Sequence, residues 1–273
     1  MTIAALNDFK VLACDIQNAY LTVNCREKVW IRAGPEFGSD AGKRMLIVRA
    51  LYGLKSSGAA FRSLLAETLH YLGIKPTKTD PDVWPRPAVK PDGFEYYKLV
   101  LCYVVDVLCM SDDAMRTMKG IQRSFKLKDD KIEEPKTYLG ARLLKMTTAN
   151  GTECWSISSE SYCKASVTYV EKKLCDEGRR FPSKCDTLMQ SVYLPELDKS
   201  PELKADGVQY YQELIGVLHW SVELGRVENL YEVATMSTDL AMPRIGHLQE
   251  LLHMFGYPKA NMKGKLAFDP YPL

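Results

Sequence analysis

The sequence predicts an α+β fold with a helical appendage. Strand-like and helix-like patterns follow one another as β, β, α, β-hairpin, α, β-hairpin, and from Val208 onward the pattern is helical. Two further features support this class. The apolar run Lys98–Met110 is too long for one ordinary strand, and Asn150-Gly151 is the strongest two-residue turn signal in the chain.

Phe9, Val11 and Leu12 begin a strand that runs into polar Asp15-Ile16-Gln17-Asn18. Val29–Ile31 and Met45–Val48 read as short strands on either side of a loop at Gly34-Pro35. The turn-rich segment 51–58 feeds an amphipathic helix over Ala59–Leu72. Leu64, Leu65, Thr68, Leu69 and Leu72 form its apolar face, and Gly73 stops it. Thr79–Asp92 carries four prolines and reads as loop. Lys98–Met110 reads as a hairpin turning near Val105-Asp106, because thirteen extended residues would reach about 43 Å at roughly 3.3 Å each. Met115–Phe125 is a helix, Tyr138–Ser158 a second hairpin turning at Asn150-Gly151, and Ser161–Leu174 another helix. Gly178–Gly207 reads as irregular linker. Val208–Val222, Leu230–Leu240 and Arg244–Phe255 complete a helical tail.

Composition narrows the function classes. With 273 residues, 46% of them apolar and 26% charged, the chain can bury a full core and has no disordered or fibrous signature. Thirty-six basic residues against 34 acidic ones leave a net charge of +2, which names no partner. The first 200 residues carry the positive excess and the tail is acidic, so a polyanion would meet the front of the chain. Eight cysteines include no C-x-x-C pair, which argues against zinc and for reduced thiols. The start has no basic, apolar leader, and the longest apolar run is too short to span a bilayer. An intracellular protein, without a membrane, is expected.

Two carboxylates stand out. Asp15 ends an apolar strand, and Asp106 is the only charge in Leu99–Met110. A lone ionised carboxylate in an apolar sheet is costly unless it is paired, hydrogen-bonded or bound to a metal. A helix cap or turn explains Asp15 alone, and an exposed hairpin tip explains Asp106 alone. Brought together at neighbouring strand ends, the two would make a Mg²⁺ site.

The blocks around them occur in a telling order: Asp15–Leu21, Ala50–Ser57, Leu101–Leu108, Tyr138-Leu139-Gly140 and Tyr211–Leu218. Together they resemble the reverse transcriptase of Ty1/copia-type LTR retrotransposons over about residues 9–257, with Leu-Tyr-Gly-Leu-Lys-Ser as the most specific element. The resemblance implies a right-hand polymerase: palm with partial fingers over 1–145, thumb-like segment and linker over 146–200, and a helical connection-like segment over 201–273. It implies primer extension from dNTPs on an RNA or DNA template, with two Mg²⁺ ions. Asp15 and Asp106 would be the catalytic carboxylates, and the Ile16 carbonyl would assist Asp15 in holding metal. Gln17, Asn18 and Ala19 would line the triphosphate, and Tyr20 would pack under the sugar. Tyr52 and Gly53 would pack on the incoming nucleotide. Lys55 and Ser56 would lie near the template, and Tyr103, Tyr138, Leu139 and Gly140 near the primer.

This chain departs from the family pattern. The family's palm hairpin reads Tyr-x-Asp-Asp, whereas here it reads Tyr103-Val104-Val105-Asp106. Val105 thus stands where the metal-bridging aspartate belongs and has no oxygen in its side chain. The expectation is a polymerase domain that is catalytically impaired, or a non-catalytic remnant that still binds primer–template. The family's upstream fingers, integrase and RNase H are expected to be absent from this chain, and a cytoplasmic particle or the nucleus is its expected location. Lys128, Lys131 and Lys136 lie near the family's proton-donor region, but the local run is altered and none is assigned.

Overall fold

The structure, a computed structural model, describes residues 1–181 and 185–271; the part of the expected linker at 182–184 lies outside them. The chain divides into two compact units, residues 3–135 and 136–273. The dividing line falls ahead of the 145/146 boundary read from the sequence, because a strand crosses those residues inside the second unit's sheet.

The first unit contains α1 (Thr2–Leu6), β1 (Lys10–Asp15), β2 (Trp30–Arg32), β3 (Arg44–Leu46), α2 (Ser57–Tyr71), β4 (Val83–Val89), β5 (Glu95–Tyr103), β6 (Asp106–Ser111) and α3 (Ala114–Gln122). Its main sheet is antiparallel in the order β1-β6-β5-β4, while β2 and β3 form a separate ribbon. The central strand β6 is buried from Val107 to Ser111, as befits a strand with one neighbour on each side. Along β5 burial alternates, so Lys98, Val100 and Cys102 share the inner face. Phe61, Leu65 and Leu69 of α2 and Met118 and Ile121 of α3 meet that face in one core. Fully burying side chains of this size contributes about 1.5–3 kcal/mol each.

Two readings of this unit need correction. The proline-rich stretch expected as loop contains β4, which pairs with β5 from Val83↔Leu101 to Val89↔Glu95. Pro85 and Pro87 are two apart, so both missing N–H positions face outward from a strand at the sheet edge, the one place where proline costs no ladder bond. The β5–β6 turn is Val104-Val105 rather than Val105-Asp106, since Tyr103 pairs directly with Asp106. Val104 there has a φ of 52°, a left-handed conformation that a β-branched residue rarely adopts.

The second unit contains β7 (Thr137–Tyr138), β8 (Ala141–Thr147), β9 (Glu153–Ser158), α4 (Glu160–Asp176), α5 (Ala205–Glu223), α6 (Leu230–Met236), α7 (Ile245–Met254), α8 (Gly256–Ala260) and β10 (Leu266–Phe268). The sheet order is β10-β9-β8-β7. The β8–β9 pairing stops at Thr147↔Glu153, so Asn150-Gly151 sits in a loop over 148–152 and not in a two-residue turn. Thr148 shapes that loop, its hydroxyl accepting from the Thr152 N–H at 3.2 Å. β10 was not legible in the sequence because three residues carry no periodic signal. Tyr211, Leu214, Leu218, Val233, Leu251 and Phe255 fill a core among the helices. Arg226 is buried, bonded to Glu228 and, at 3.0 Å, to the Asn261 carbonyl. Among the described residues no helix is long and apolar enough to cross a membrane.

Candidate active site

Asp15 and Asp106 meet at one end of the first sheet. They are the last register pair between β1 and β6, which turns their side chains to the same face with Cβ atoms about 5 Å apart. Both are half-buried. Burial raises the Asp106 pKa above the ordinary carboxylate value, the Asp15 charge raises it further, and Lys128 opposes both. Lys128 Nζ lies 3.6 Å from Asp15 Oδ2.

Val105 adds no ligand to this pair. Its side chain packs against the apolar core, and its carbonyl accepts a hydrogen bond from the Ile16 N–H at 3.0 Å. Ile16 is buried and bridges Leu127, and the Gln17 N–H donates to the Lys126 carbonyl at 2.9 Å. These bonds hold the strand end in place beside the segment that carries Lys128. Asn18 follows with a φ of 52° and turns the chain into a 3₁₀ turn over Ala19–Thr22, with Ala19 buried.

That turn presents Tyr20 to Tyr52, ring centroids 4.4 Å apart, and to the edge of Phe61 at 6.1 Å. The segment bearing Tyr52 bends at Gly53, whose φ of 92° excludes a side chain without strain. Lys55 is exposed, and the Ser56 N–H donates to Glu27 Oε1 at 2.7 Å. Hydrogen bonding to Ser56 holds the Glu27 carboxyl below its ordinary range. Between α2 and the end of β5 lies a cavity of about 410 Å³ that Tyr20, Phe61, Trp84, Cys102 and Tyr103 help to line. Tyr103 and Val104 are exposed at the hairpin tip.

Asp15, Ile16, Tyr103, Val105 and Asp106 thus come together, and Tyr20 comes together with Tyr52. Tyr138, Leu139 and Gly140 belong to the second unit. There Tyr138 pairs with Ala141, and Leu139 and Gly140, with φ of 53° and 89°, make the tight turn between β7 and β8.

Residues 1–171 match the family described as reverse transcriptase (RNA-dependent DNA polymerase). The chain belongs to the reverse transcriptase family. As a member, it has nucleic acid and dNTPs as its general substrate classes, and its mixed α/β build with antiparallel sheets is compatible with a reverse transcriptase domain.

The family's metal requirement can be set against the residues present. Asp15 and Asp106 form a like-charged, partly desolvated pair of the kind a divalent cation relieves. Two ions need more shared oxygen, and at position 105 this reverse transcriptase has a hydrocarbon side chain turned to the core. Among the described residues no group of three or more His, Cys, Asp and Glu side chains gathers. Asp15 and Asp106 are the carboxylates that this strand end offers a divalent cation, and the side chain at 105 offers none. Lys128, named in the sequence without a role, lies beside Asp15. Two contributors escaped sequence reasoning: Phe61 reads as ordinary helix core, and Glu27 gives no signal between Arg26 and Lys28.

Proposed function

We propose that the chain is the RNA-directed DNA polymerase domain of a copia-type retrotransposon polyprotein, with its chemical step impaired at Val105. The observation that carries this is the Asp15–Asp106 register pair beside a turn whose valine turns to the core. In this reading the first unit is the palm with part of the fingers, and the second holds the thumb-like and connection-like segments. Integrase and RNase H segments of the same polyprotein are its partners, and Mg²⁺ is its metal.

Asp15 and Asp106 would hold a Mg²⁺ ion, with the Ile16 carbonyl beside them, and the ion would supply Lewis-acid activation of the primer hydroxyl and the phosphate. Gln17, Asn18 and Ala19 face the triphosphate, and the Tyr20 ring, held by Tyr52 and Phe61, sets the floor under the sugar. Gly53 gives the backbone bend, Lys55 and Ser56 lie along the template and Tyr103 along the primer; for Tyr138, Leu139 and Gly140 of the second unit a primer role rests on the family resemblance alone. Loss of a bridging carboxylate removes stabilisation made mainly in the transition state, so turnover falls while substrate binding persists. A second reading, a remnant that only binds primer–template, is favoured by the same valine.

The test has two parts. Primer extension on poly(rA)·oligo(dT) with Mg²⁺ is expected to give no product above background. Templated dTMP incorporation that is lost on Asp15→Ala overturns the impairment. Fluorescence anisotropy with a labelled RNA–DNA hybrid is expected to show weak binding, on the order of 10⁻⁶ M at low salt, falling steeply as salt rises. No binding at the lowest salt, or a flat salt response, overturns both readings.

A further inference from the structure

The inner face of the first sheet carries a second feature, away from the carboxylate pair. A cavity of about 970 Å³ lies between the end of α2, β4, β5 and α3. Its charged lining consists of Arg86, Lys98, Arg116, Lys119 and Arg123 against the single acid Asp113. Lys98 lies five positions before Tyr103 on β5, about 17 Å along the strand at roughly 3.4 Å per residue.

Lys98 is the decisive residue. It is only 8% exposed, and among the described residues its ammonium has no hydrogen-bond or ion-pair partner. A cation so placed is costly unless an anion meets it. Burial lowers its pKa, Cys109 and Asp113 oppose that, and Arg86 and Arg116 add to it. Arg116, Lys119 and Arg123 are spaced three and four apart on and just beyond α3, so like charges crowd one side of that element. Asp113, which also caps α3 by accepting from the Arg116 N–H at 3.4 Å, is one negative charge against five positive ones and leaves most of them uncompensated. Arg86 is fixed at the rim by its bond to the Leu72 carbonyl.

We propose that this cavity binds a small polyphosphate anion, with Lys98 at its floor and Arg116, Lys119 and Arg123 at its rim. The chemistry follows from the count of donors. Five basic side chains and one acid leave an excess that a single carboxylate or phosphate would not satisfy. A chain of phosphates offers several charged oxygens within one cavity, and guanidinium groups bind such oxygens in pairs. The site stands independently of the polymerase reading, because none of its lining residues belongs to the Asp15–Asp106 region.

Isothermal titration calorimetry of the full chain with inorganic tripolyphosphate tests this, run in EDTA to exclude metal-dependent binding elsewhere. One equivalent is expected to bind. The Arg116→Gln/Arg123→Gln double variant, altered only at exposed positions, should bind at least tenfold more weakly, with an unchanged circular dichroism spectrum. Lys98→Met should lose binding and Lys98→Arg should keep it. Absence of binding, or equal affinity in the double variant, overturns the proposal. So does the case in which a short single-stranded oligonucleotide is weakened by these substitutions while tripolyphosphate does not bind.

Discussion

Asp15 and Asp106 face each other across the β1–β6 ladder, one carboxylate raising the proton affinity of the other. The second of the two is partly desolvated as well, so the ionised pair works against folding when no cation lies between them.

The sign of that effect gives a stability prediction. A folded-state pKa above the unfolded one means the native state holds the proton longer, so this contribution declines as pH rises past the ordinary carboxylate pKa near 4. Asp106→Asn should therefore raise the melting temperature at pH 7, and the gain should vanish below about pH 4. Adding Mg²⁺ should stabilise the parent chain and not the variant. Thermal melts across pH 4–8 would check this; an Asn variant less stable than the parent at pH 7 contradicts it.

Lys128 opposes the rise at Asp106, and its ammonium sits beside Asp15. Lys128→Met should therefore push the Asp106 pKa higher still. Carboxyl-carbon NMR titration of Asp106 in the two proteins measures the change. A lower value in the variant would mean that the lysine does not act on the pair.

These groups show what was legible in the sequence and what was not. Asp15 and Asp106 stood out because each is a charge in an apolar strand, which is local information. Their register is tertiary, and the hairpin reading put Asp106 in the turn itself, whereas the structure puts it at the strand end, paired with Tyr103. Lys128 lies on an irregular segment whose position depends on the Ile16–Leu127 bridge, and no local pattern encodes such a bridge. The prolines of β4 misled for a physical reason. They forbid a central strand but permit an edge, and edge status is a property of the whole sheet. Helix α2 was legible because its buried positions Phe61, Leu65, Thr68 and Leu69 repeat at helical spacing.

Tyr20 and Tyr52 meet at a tilt of 46° with ring centroids 4.4 Å apart, although Tyr52 is 69% exposed. A double-mutant cycle with Tyr20→Ala and Tyr52→Ala should give a coupling of about 0.5–1.5 kcal/mol. Urea denaturation of the four proteins measures it. Additive losses would mean that Tyr52 does not hold the Tyr20 ring in place.

Two positive-φ positions make opposite predictions from one rule. Val104 carries a branched side chain at φ 52°, where L-residues are strained by about 1–2 kcal/mol, and it is exposed enough to lose little packing on truncation. Val104→Gly removes that strain but adds unfolded-state entropy, so a net stabilisation of about 0.5–1 kcal/mol is expected. Gly225, at φ 105°, uses a conformation that glycine alone tolerates, and a Cβ there would lie 2.7 Å from Ile157 Cγ2. Gly225→Ala should cost about 1–3 kcal/mol from the backbone, with the clash against β9 added. Denaturation midpoints, with tryptophan fluorescence as the signal, should move up for the first variant and down for the second. Movement in the same direction would show that φ does not govern the stability of these turns.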